Sequence, residues 1–145
     1  AVDIDKARLQ MAHRLGADLC VNSAEEDPVL SLHRHLGGVQ GALVTAVSRE
    51  SFSQALGMLR KHGTMSMVGL PPGDFPLPIF DMVVNAKTVR GSIVGSRQDL
   101  NEALQFAAEG AVHACTTTHP LGDINRIFDS LRNGRIDGRA VLTFN

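Results

Sequence analysis

The sequence has no tryptophan and no tyrosine, and it contains only two cysteines, Cys20 and Cys115. Two cysteines so far apart suit neither a disulfide framework nor a zinc motif, so we expect reduced thiols. No apolar run approaches the roughly 20 residues that span a bilayer. We therefore expect a soluble, cytoplasmic protein with no membrane partner.

The sequence also lacks an excess of either charge. Fourteen Lys and Arg residues against 15 Asp and Glu residues give a formal net charge of −1, with both signs interspersed. A nucleic-acid-binding surface needs a basic patch, so we expect no nucleic acid partner. His33 and His35 stand two positions apart, which would place them on different faces of a helix and disfavours a metal site. The 145 residues, 43% of them hydrophobic, suffice for a globular domain with a real core.

Helical and strand-like patterns alternate over the first 94 residues. Helices are predicted after the caps Asp5 and Asp27, and after Ser48 or Ser51, the third closing at His62 and Gly63. Strands are predicted at 18–22, 41–47, 64–69 and 88–94. The inward helical stripes are Leu9, Ala12 and Leu15; Val29, Leu32, His33 and Leu36; and Phe52, Ala55, Leu56 and Leu59. This alternation predicts an α/β fold with a parallel sheet of about five strands, covered by helices on both faces.

The pattern changes near residues 95–99, where we expect a boundary. A helix is predicted at 99–110, with Asp99 and Glu102 resembling a capping box. A second helix is predicted at 123–133 and a strand at 139–144. The side chains predicted to face inward are Leu100, Ala103, Leu104 and Ala107 in the first helix, and Ile124, Ile127, Phe128 and Leu131 in the second. We therefore expect a helical C-terminal tail.

The opening stretch, residues 1–8, combines the end of a strand, the acid Asp3 and a helix start. An acid at the carboxyl end of the second parallel strand is where a dinucleotide-binding fold binds the adenosine ribose, about 20 residues after a glycine-rich turn. That turn would have to precede residue 1. We therefore expect a Rossmann-like, doubly wound sheet that lacks its first strand and its glycine-rich turn. The alternative is an ordinary strand-to-helix turn.

The other informative positions are the predicted strand ends at 45–48, 68–70 and 92–94. Ligands of open α/β sheets bind outside the carboxyl ends of the strands, and small or apolar side chains there would let a flat ring lie against the backbone. The alternative is that these residues belong to the sheet core. The sequence contains no hydrolase nucleophile motif, no metalloprotease zinc motif and no phosphate-binding P-loop.

Several stretches together resemble the zinc-dependent alcohol dehydrogenases of the medium-chain dehydrogenase superfamily, over all 145 residues. These stretches are AVDIDKAR at 1–8, LGAD at 15–18, VTAVS at 44–48, MVGLPPG at 67–73, RGSIVGSR at 90–97, EALQFAAEG at 102–110 and GRAVL at 138–142. Their order and spacing carry the resemblance.

The resemblance implies that residues 1–95 form a partial NAD-binding domain, and that residues 96–145 form a segment that packs back on the catalytic domain. It implies a role in NAD binding for eleven residues. Asp3 and Arg8 would bind the adenosine ribose, and Asp3 would select NAD because a carboxylate repels a 2′-phosphate. The remaining positions are Ala46 and Val47 in the cofactor groove, Val68, Gly69 and Leu70 against the nicotinamide, Ser92, Ile93 and Val94 at its carboxamide, and Arg139 near the pyrophosphate.

The family's zinc ligands, proton-relay residues and glycine-rich turn all match positions before Ala1. The resemblance therefore implies no catalytic residue and no metal ligand in this chain, although the parent enzyme would use NAD and zinc to oxidise an alcohol. We expect the chain alone to be inactive. Two alternatives remain: another medium-chain dehydrogenase, of the sugar, polyol or quinone reductase type, and a non-enzymatic nucleotide-binding or oligomerisation module.

The resemblance also implies a homo-oligomer. In the family the strand that matches 88–94 lies at a sheet edge and pairs with its own copy across a two-fold axis. Here that stretch has β-branched residues and a single charge, Arg90, so little in it opposes edge pairing. The alternative is that the loop at 71–78 folds over this edge.

Overall fold

A computed structural model describes residues 1–144 and confirms the α/β class. Every strand pair is parallel. The strands are β1 (Val2–Asp3), β2 (Val21–Asn22), β3 (Val39–Val44), β4 (Leu59–Met67), β5 (Thr88–Gly91), β6 (Thr116–Pro120) and β7 (Arg139–Thr143). The helices are α1 (Lys6–Arg14), α2 (Pro28–Leu36), α3 (Arg49–Met58), α4 (Ile79–Val84), α5 (Arg97–Ala108) and α6 (Ile124–Arg132). No helix within the described residues is long and apolar enough to cross a membrane.

The backbone contacts divide the chain into two compact units, a first unit at Ala1–Val94 and a second unit that begins at Gly95. The first unit contains five strands, but they form a pair, β1–β2, and a separate trio, β3–β4–β5. The predicted number of strands in this unit is therefore right, but the prediction that they form one continuous sheet was wrong. In the Rossmann strand order 3-2-1-4-5-6, a strand preceding β1 in the sequence would lie between β1 and β3. The break between the pair and the trio falls at this position of the strand order.

Within residues 1–144, the buried hydrophobic core lies in the first unit. Its buried hydrophobic residues are Leu9, Val21, Leu32, Val44, Phe52, Ala55, Leu56, Met58, Leu59 and Met65. Helix α3 supplies four of them, and each large apolar side chain buried in this way contributes about 1.5–3 kcal/mol. The expected cover on both faces of the sheet is incomplete, because Leu43 in β3 is 69% exposed beside the buried Val44.

The helix starts follow the predicted caps. The Asp5 carboxylate accepts the Ala7 N–H at 2.7 Å, and the Asp27 carboxylate accepts the Val29 N–H at 2.8 Å. These bonds satisfy N–H groups that have no partner within the helix. The inward stripes were only partly right, because Leu15 and Leu36 are 62% and 56% exposed. Both residues lie in the final turn or cap of their helices, beyond the part that packs on the sheet.

Helix α3 ends at Met58, four residues before the predicted end. The buried Leu59 already belongs to β4, and the β3–β4 ladder is interrupted between the pairs Val39–Leu59 and Gly41–Thr64. His62 lies in this interruption with a φ of 60°, and its N–H donates to the Asn85 carbonyl at 2.8 Å. Leu59 fits the helical spacing of the apolar residues because it is buried, although it belongs to a strand.

The second unit contains α5, β6, α6 and β7. A capping box starts α5, but its members are Ser96 and Asp99, not Asp99 and Glu102 as predicted. Strand β6, in the threonine-rich stretch, was not predicted, and it pairs with β7, so the second unit is not a purely helical tail. No residue of this unit up to 144 is buried, so the prediction of inward-facing side chains on α5 was wrong.

Candidate functional site

The acid Asp3 lies at the end of β1, where the chain turns into α1. One carboxylate oxygen of Asp3 accepts the Asp5 N–H at 2.9 Å. The other oxygen lies 4.0 Å from Nη1 of Arg8, and the Asp3 side chain remains 32% exposed. The turn therefore fixes the carboxylate while leaving one oxygen, beside a cation, able to accept hydrogen bonds from a ligand hydroxyl.

Large apolar side chains are exposed within three residues of the ends of three strands. Ile4 follows β1 and is 71% exposed, Val47 lies shortly after β3 at 76%, and Leu70 lies shortly after β4 at 90%. Exposed apolar side chains at the carboxyl ends of parallel strands provide flat surface where α/β folds bind ligands. Ile4 was not among the predicted site residues. The signal that could have identified it is an isoleucine between two acids at a strand end.

The ends of β3 and β4 are packed closely together. The N–H groups of Val68 and Gly69 both donate to the Val44 carbonyl at 2.9 Å. A Cβ atom built on Gly69 would clash with the Ala46 carbonyl oxygen and lie 2.9 Å from its carbon. Glycine is therefore required for this approach, which brings residues 45–47 and 68–70, five of the predicted site residues among them, into one place.

The stretch Ser92 to Val94 lies outside β5, which ends at Gly91 and not at Val94 as predicted. The Ser92 N–H donates to the Met67 carbonyl at 2.9 Å, so Ser92 stays beside the end of β4. Ile93 and Val94 are 89% and 97% exposed, and nothing in the first unit packs over them. The stretch thus leaves the sheet, which accounts for the early end of the strand.

Arg139 starts β7 in the second unit, where its guanidinium donates to the Gly138 carbonyl at 2.9 Å. Among residues 1–144, no group of three or more His, Cys, Asp or Glu side chains could hold a metal ion. The Cys20 thiol donates to the Leu9 carbonyl at 3.4 Å, and Cys115 is exposed.

Residues 1–109 match the zinc-binding dehydrogenase family. The chain therefore belongs to this family. Among its relatives, it is 54% identical over 144 residues to an alcohol dehydrogenase of Moraxella sp. (strain TAE123) and 52% identical over 145 residues to one of Rhizobium meliloti (strain 1021). These alignments cover 99% and 100% of this chain but 43% of each relative. The chain thus spans less than half the length of these relatives.

The fold matches solved alcohol dehydrogenase structures. The enzyme of the hyperthermophilic archaeon Aeropyrum pernix superposes with a TM-score of 0.91 at 30% identity, covering 99% of this chain and 42% of that one. A benzyl alcohol dehydrogenase of Acinetobacter calcoaceticus gives a TM-score of 0.89 at 26% identity, with coverage of 100% and 42%. The predicted Rossmann-like fold is therefore confirmed.

Proposed function

We propose that this chain is the cofactor-binding part of an NAD-dependent, zinc-containing alcohol dehydrogenase that oxidises an alcohol to an aldehyde or ketone. The observation that carries the proposal is the fixed, partly exposed Asp3 carboxylate at the end of β1, in a chain that belongs to the zinc-binding dehydrogenase family. The chain supplies cofactor binding and no catalytic residue, so by itself it is inactive.

Asp3 and Arg8 bind the adenosine ribose in this proposal. The free oxygen of Asp3 accepts a hydrogen bond from a ribose hydroxyl, and its negative charge disfavours the 2′-phosphate of NADP. Ile4 and Val47 fit as apolar surface for a flat base, because both side chains are largely exposed beside strand ends. These features agree with the donor and acceptor groups of NAD.

The ends of β4 and β5 face the nicotinamide in this proposal. Residues Val68, Gly69 and Leu70 provide backbone and apolar surface, and Ser92, Ile93 and Val94 contact the carboxamide side. NAD, when bound, accepts the hydride from the alcohol. Arg139 approaches the pyrophosphate, and residues 96–145 pack back on a catalytic domain. Zinc belongs to the parent enzyme through residues absent from this chain.

The proposal extends to a cytoplasmic homo-oligomer. Free Cys20 and Cys115 agree with a reducing compartment. The β5 edge opposite β4 pairs with no strand in the described residues, which agrees with association through residues 88–94.

Because Val89 packs against the core, the better charge substitution for testing this association is Ile93→Lys, at an exposed residue. Light scattering should give a dimer mass for the unchanged protein and a monomer mass for this variant, whereas Leu36→Lys should leave the dimer intact.

The cofactor assignment is tested by comparing NADH with NADPH in ligand-observed NMR titrations of the protein. We expect NADH binding with a dissociation constant of about 1 mM or weaker, because the chain lacks the helix N-terminus and glycine-rich turn that hold the pyrophosphate. We expect weaker NADPH binding. Asp3→Asn should remove the preference for NADH, since the repelling charge is gone, and Asp18→Asn is the control at an exposed acid. If the Asp3→Asn variant kept the same preference for NADH over NADPH as the unchanged protein, the proposed role of Asp3 would be contradicted.

A further inference from the structure

A second concave region of the first unit lies at the amino ends of β4 and β5, opposite the strand ends described above. It is an open groove with a volume of about 710 Å³. Its lining residues are His33 and Gly37 of the α2 end, Gly57 of α3, Leu59, Arg60 and Lys61 of β4, and Asp81, Asn85 and Lys87 around α4. We call this region the amino-end groove. It contains three cationic side chains, Arg60, Lys61 and Lys87, and one carboxylate, Asp81.

The polar groups on the floor of the amino-end groove are hydrogen-bonded to one another and to backbone carbonyls. The Lys87 ammonium, on a side chain only 5% exposed, donates to Asp81 Oδ2 at 2.8 Å and to the Leu56 carbonyl at 3.1 Å. The second Asp81 oxygen, Oδ1, accepts Asn85 Nδ2 at 2.7 Å. His33 Nε2 lies 2.9 Å from the Gly57 carbonyl. The single acid of the groove is therefore already engaged by Lys87 and Asn85.

Arg60 and Lys61 are left without a carboxylate partner among residues 1–144. With Lys87 neutralising Asp81, these two exposed side chains give the groove an excess of two positive charges. Cations arranged around a concave surface concentrate anions there. The groove thus has an unmatched positive charge, although the chain as a whole has a net charge of −1.

The backbone directs both cations to the same groove. Successive residues of a regular strand point to opposite faces, so neighbours such as Arg60 and Lys61 would normally be separated. Here both side chains line the groove, in the part of β4 where the β3–β4 ladder is interrupted and His62 has a positive φ. The His62 N–H bond to the Asn85 carbonyl ties this part of β4 to the end of α4. The backbone N of Arg60 also packs closely on Gly38, where an added Cβ would lie 3.1 Å from it.

We propose that the amino-end groove binds a small multivalent anion of the phosphate type through Arg60 and Lys61. Arg60 donates from its planar guanidinium, which matches the oxygens of a phosphate group, and Lys61 adds a second charge. Lys87 and His33 hold the floor of the groove through their hydrogen bonds to the Leu56 and Gly57 carbonyls of α3. The site is separate from the strand ends assigned to NAD, so the proposal does not depend on the proposed enzymatic function.

Inorganic phosphate is the probe, titrated into the protein at constant ionic strength with chloride as the balancing anion. Amide chemical shifts are the measurement, because they report where the anion binds. We expect saturable shifts at Gly37, Gly57, Arg60 and Lys61, with a dissociation constant of about 1 mM. The double variant Arg60→Gln/Lys61→Gln should weaken binding at least about tenfold, because it removes two charge-assisted hydrogen bonds.

The matched control is Arg14→Gln/Arg135→Gln, which removes the same charge at exposed positions outside the groove. Its affinity for phosphate should equal that of the unchanged protein. Shifts that rise linearly without saturation, or that are spread over the whole chain, would overturn the proposal. Equal weakening in both double variants would also overturn it, because binding would then follow net charge and not this groove. Addition of NAD should leave the phosphate shifts unchanged, and competition between the two would place the anion at the other site.

Discussion

The two units of this chain differ in how they use apolar side chains. The first unit buries a continuous cluster around α3, including Phe52, Leu56 and Met65 at 0–4% exposure. The second unit has two amphipathic helices, yet Leu104 of α5 and Leu131 of α6 are 62% and 59% exposed. An apolar stripe therefore identifies the face of a helix that can be buried, but not whether the same chain supplies a surface to bury it.

This difference indicates how stability is distributed along the chain. In the first unit, burial of apolar surface is the main stabilising term. In the second unit, local hydrogen bonds remain, such as the capping box of α5 and the parallel ladder between β6 and β7. We therefore expect the second unit to open at lower free energy than the first.

The largest effect is expected from paired leucine truncations. Leu56→Ala should lower the free energy of unfolding by about 2–5 kcal/mol, because it leaves a cavity in the core. Leu104→Ala, also in a helix interior, should change it by no more than about 0.5 kcal/mol, since the side chain is exposed. Urea denaturation followed by circular dichroism measures both. Similar losses in the two variants would show that α5 is packed in solution and would break the comparison.

The next effect concerns two glycines near the carboxyl ends of neighbouring strands. Gly69→Ala should destabilise the protein by about 1–3 kcal/mol, because its Cβ would clash with the Ala46 carbonyl. Gly91→Ala should be neutral or slightly stabilising, since no atom lies within 4 Å of its Cβ position. Thermal unfolding checks the pair, and NADH titration of Gly69→Ala shows whether the packed strand ends matter for binding. A neutral Gly69→Ala would mean that the two strand ends are not in contact.

The sequence predicts the parts of the fold that depend on local chemistry. Asp5 and Asp27 cap their helices as predicted, because an Asp before an apolar stripe can accept the free N–H groups. The α/β class follows from the alternation of strands and helices. The end of α3 was missed because Leu59 is buried in either conformation, so periodicity cannot distinguish a helix from a strand there.

Features that depend on distant contacts could not be predicted. Strand β6 is threonine-rich and polar, and it exists through pairing with β7, more than 20 residues later in the chain. The exposure of Ile4 and the clash that requires glycine at position 69 are likewise tertiary features. The roles of the predicted site residues in NAD binding stay predictions.

A smaller effect is expected from the ion pair between Asp81 of α4 and Lys87, the residue before β5. A hydrogen bond from Lys87 lowers the pKa of Asp81, with partial burial acting in the opposite direction. A lowered pKa stabilises the folded state above the unfolded-state pKa, near pH 4, and this contribution is lost as the pH falls through the folded-state pKa.

Asp81→Asn should therefore reduce the dependence of stability on pH below about pH 4. The change should be about 1 kcal/mol, because the Asp81 side chain is 35% exposed and solvent screens the pair. Urea denaturation between pH 2 and pH 7 measures it, with Asp18→Asn as the control for an exposed acid. An unchanged acid dependence in Asp81→Asn would show that the pair is too solvated to matter.

The smallest effect compares one helix cap from each unit. Asp27→Ala removes the cap of α2, and Ser96→Ala removes the capping box of α5; each should cost about 1 kcal/mol locally. Helix α2 is also held by the buried Leu32, so its amides should remain protected from hydrogen exchange. Helix α5 has no buried residue, so Ser96→Ala should raise exchange along its first turns several-fold. The backbone N–H and the hydroxyl of Ser96 both donate to Asp99 and lower its pKa; the variant removes the hydroxyl alone and should raise that pKa part of the way toward its ordinary value in an NMR titration. If α5 kept its protection while the Asp99 pKa rose, the helix would be stabilised by contacts other than its cap, and the contrast between the units would be smaller than the exposures indicate.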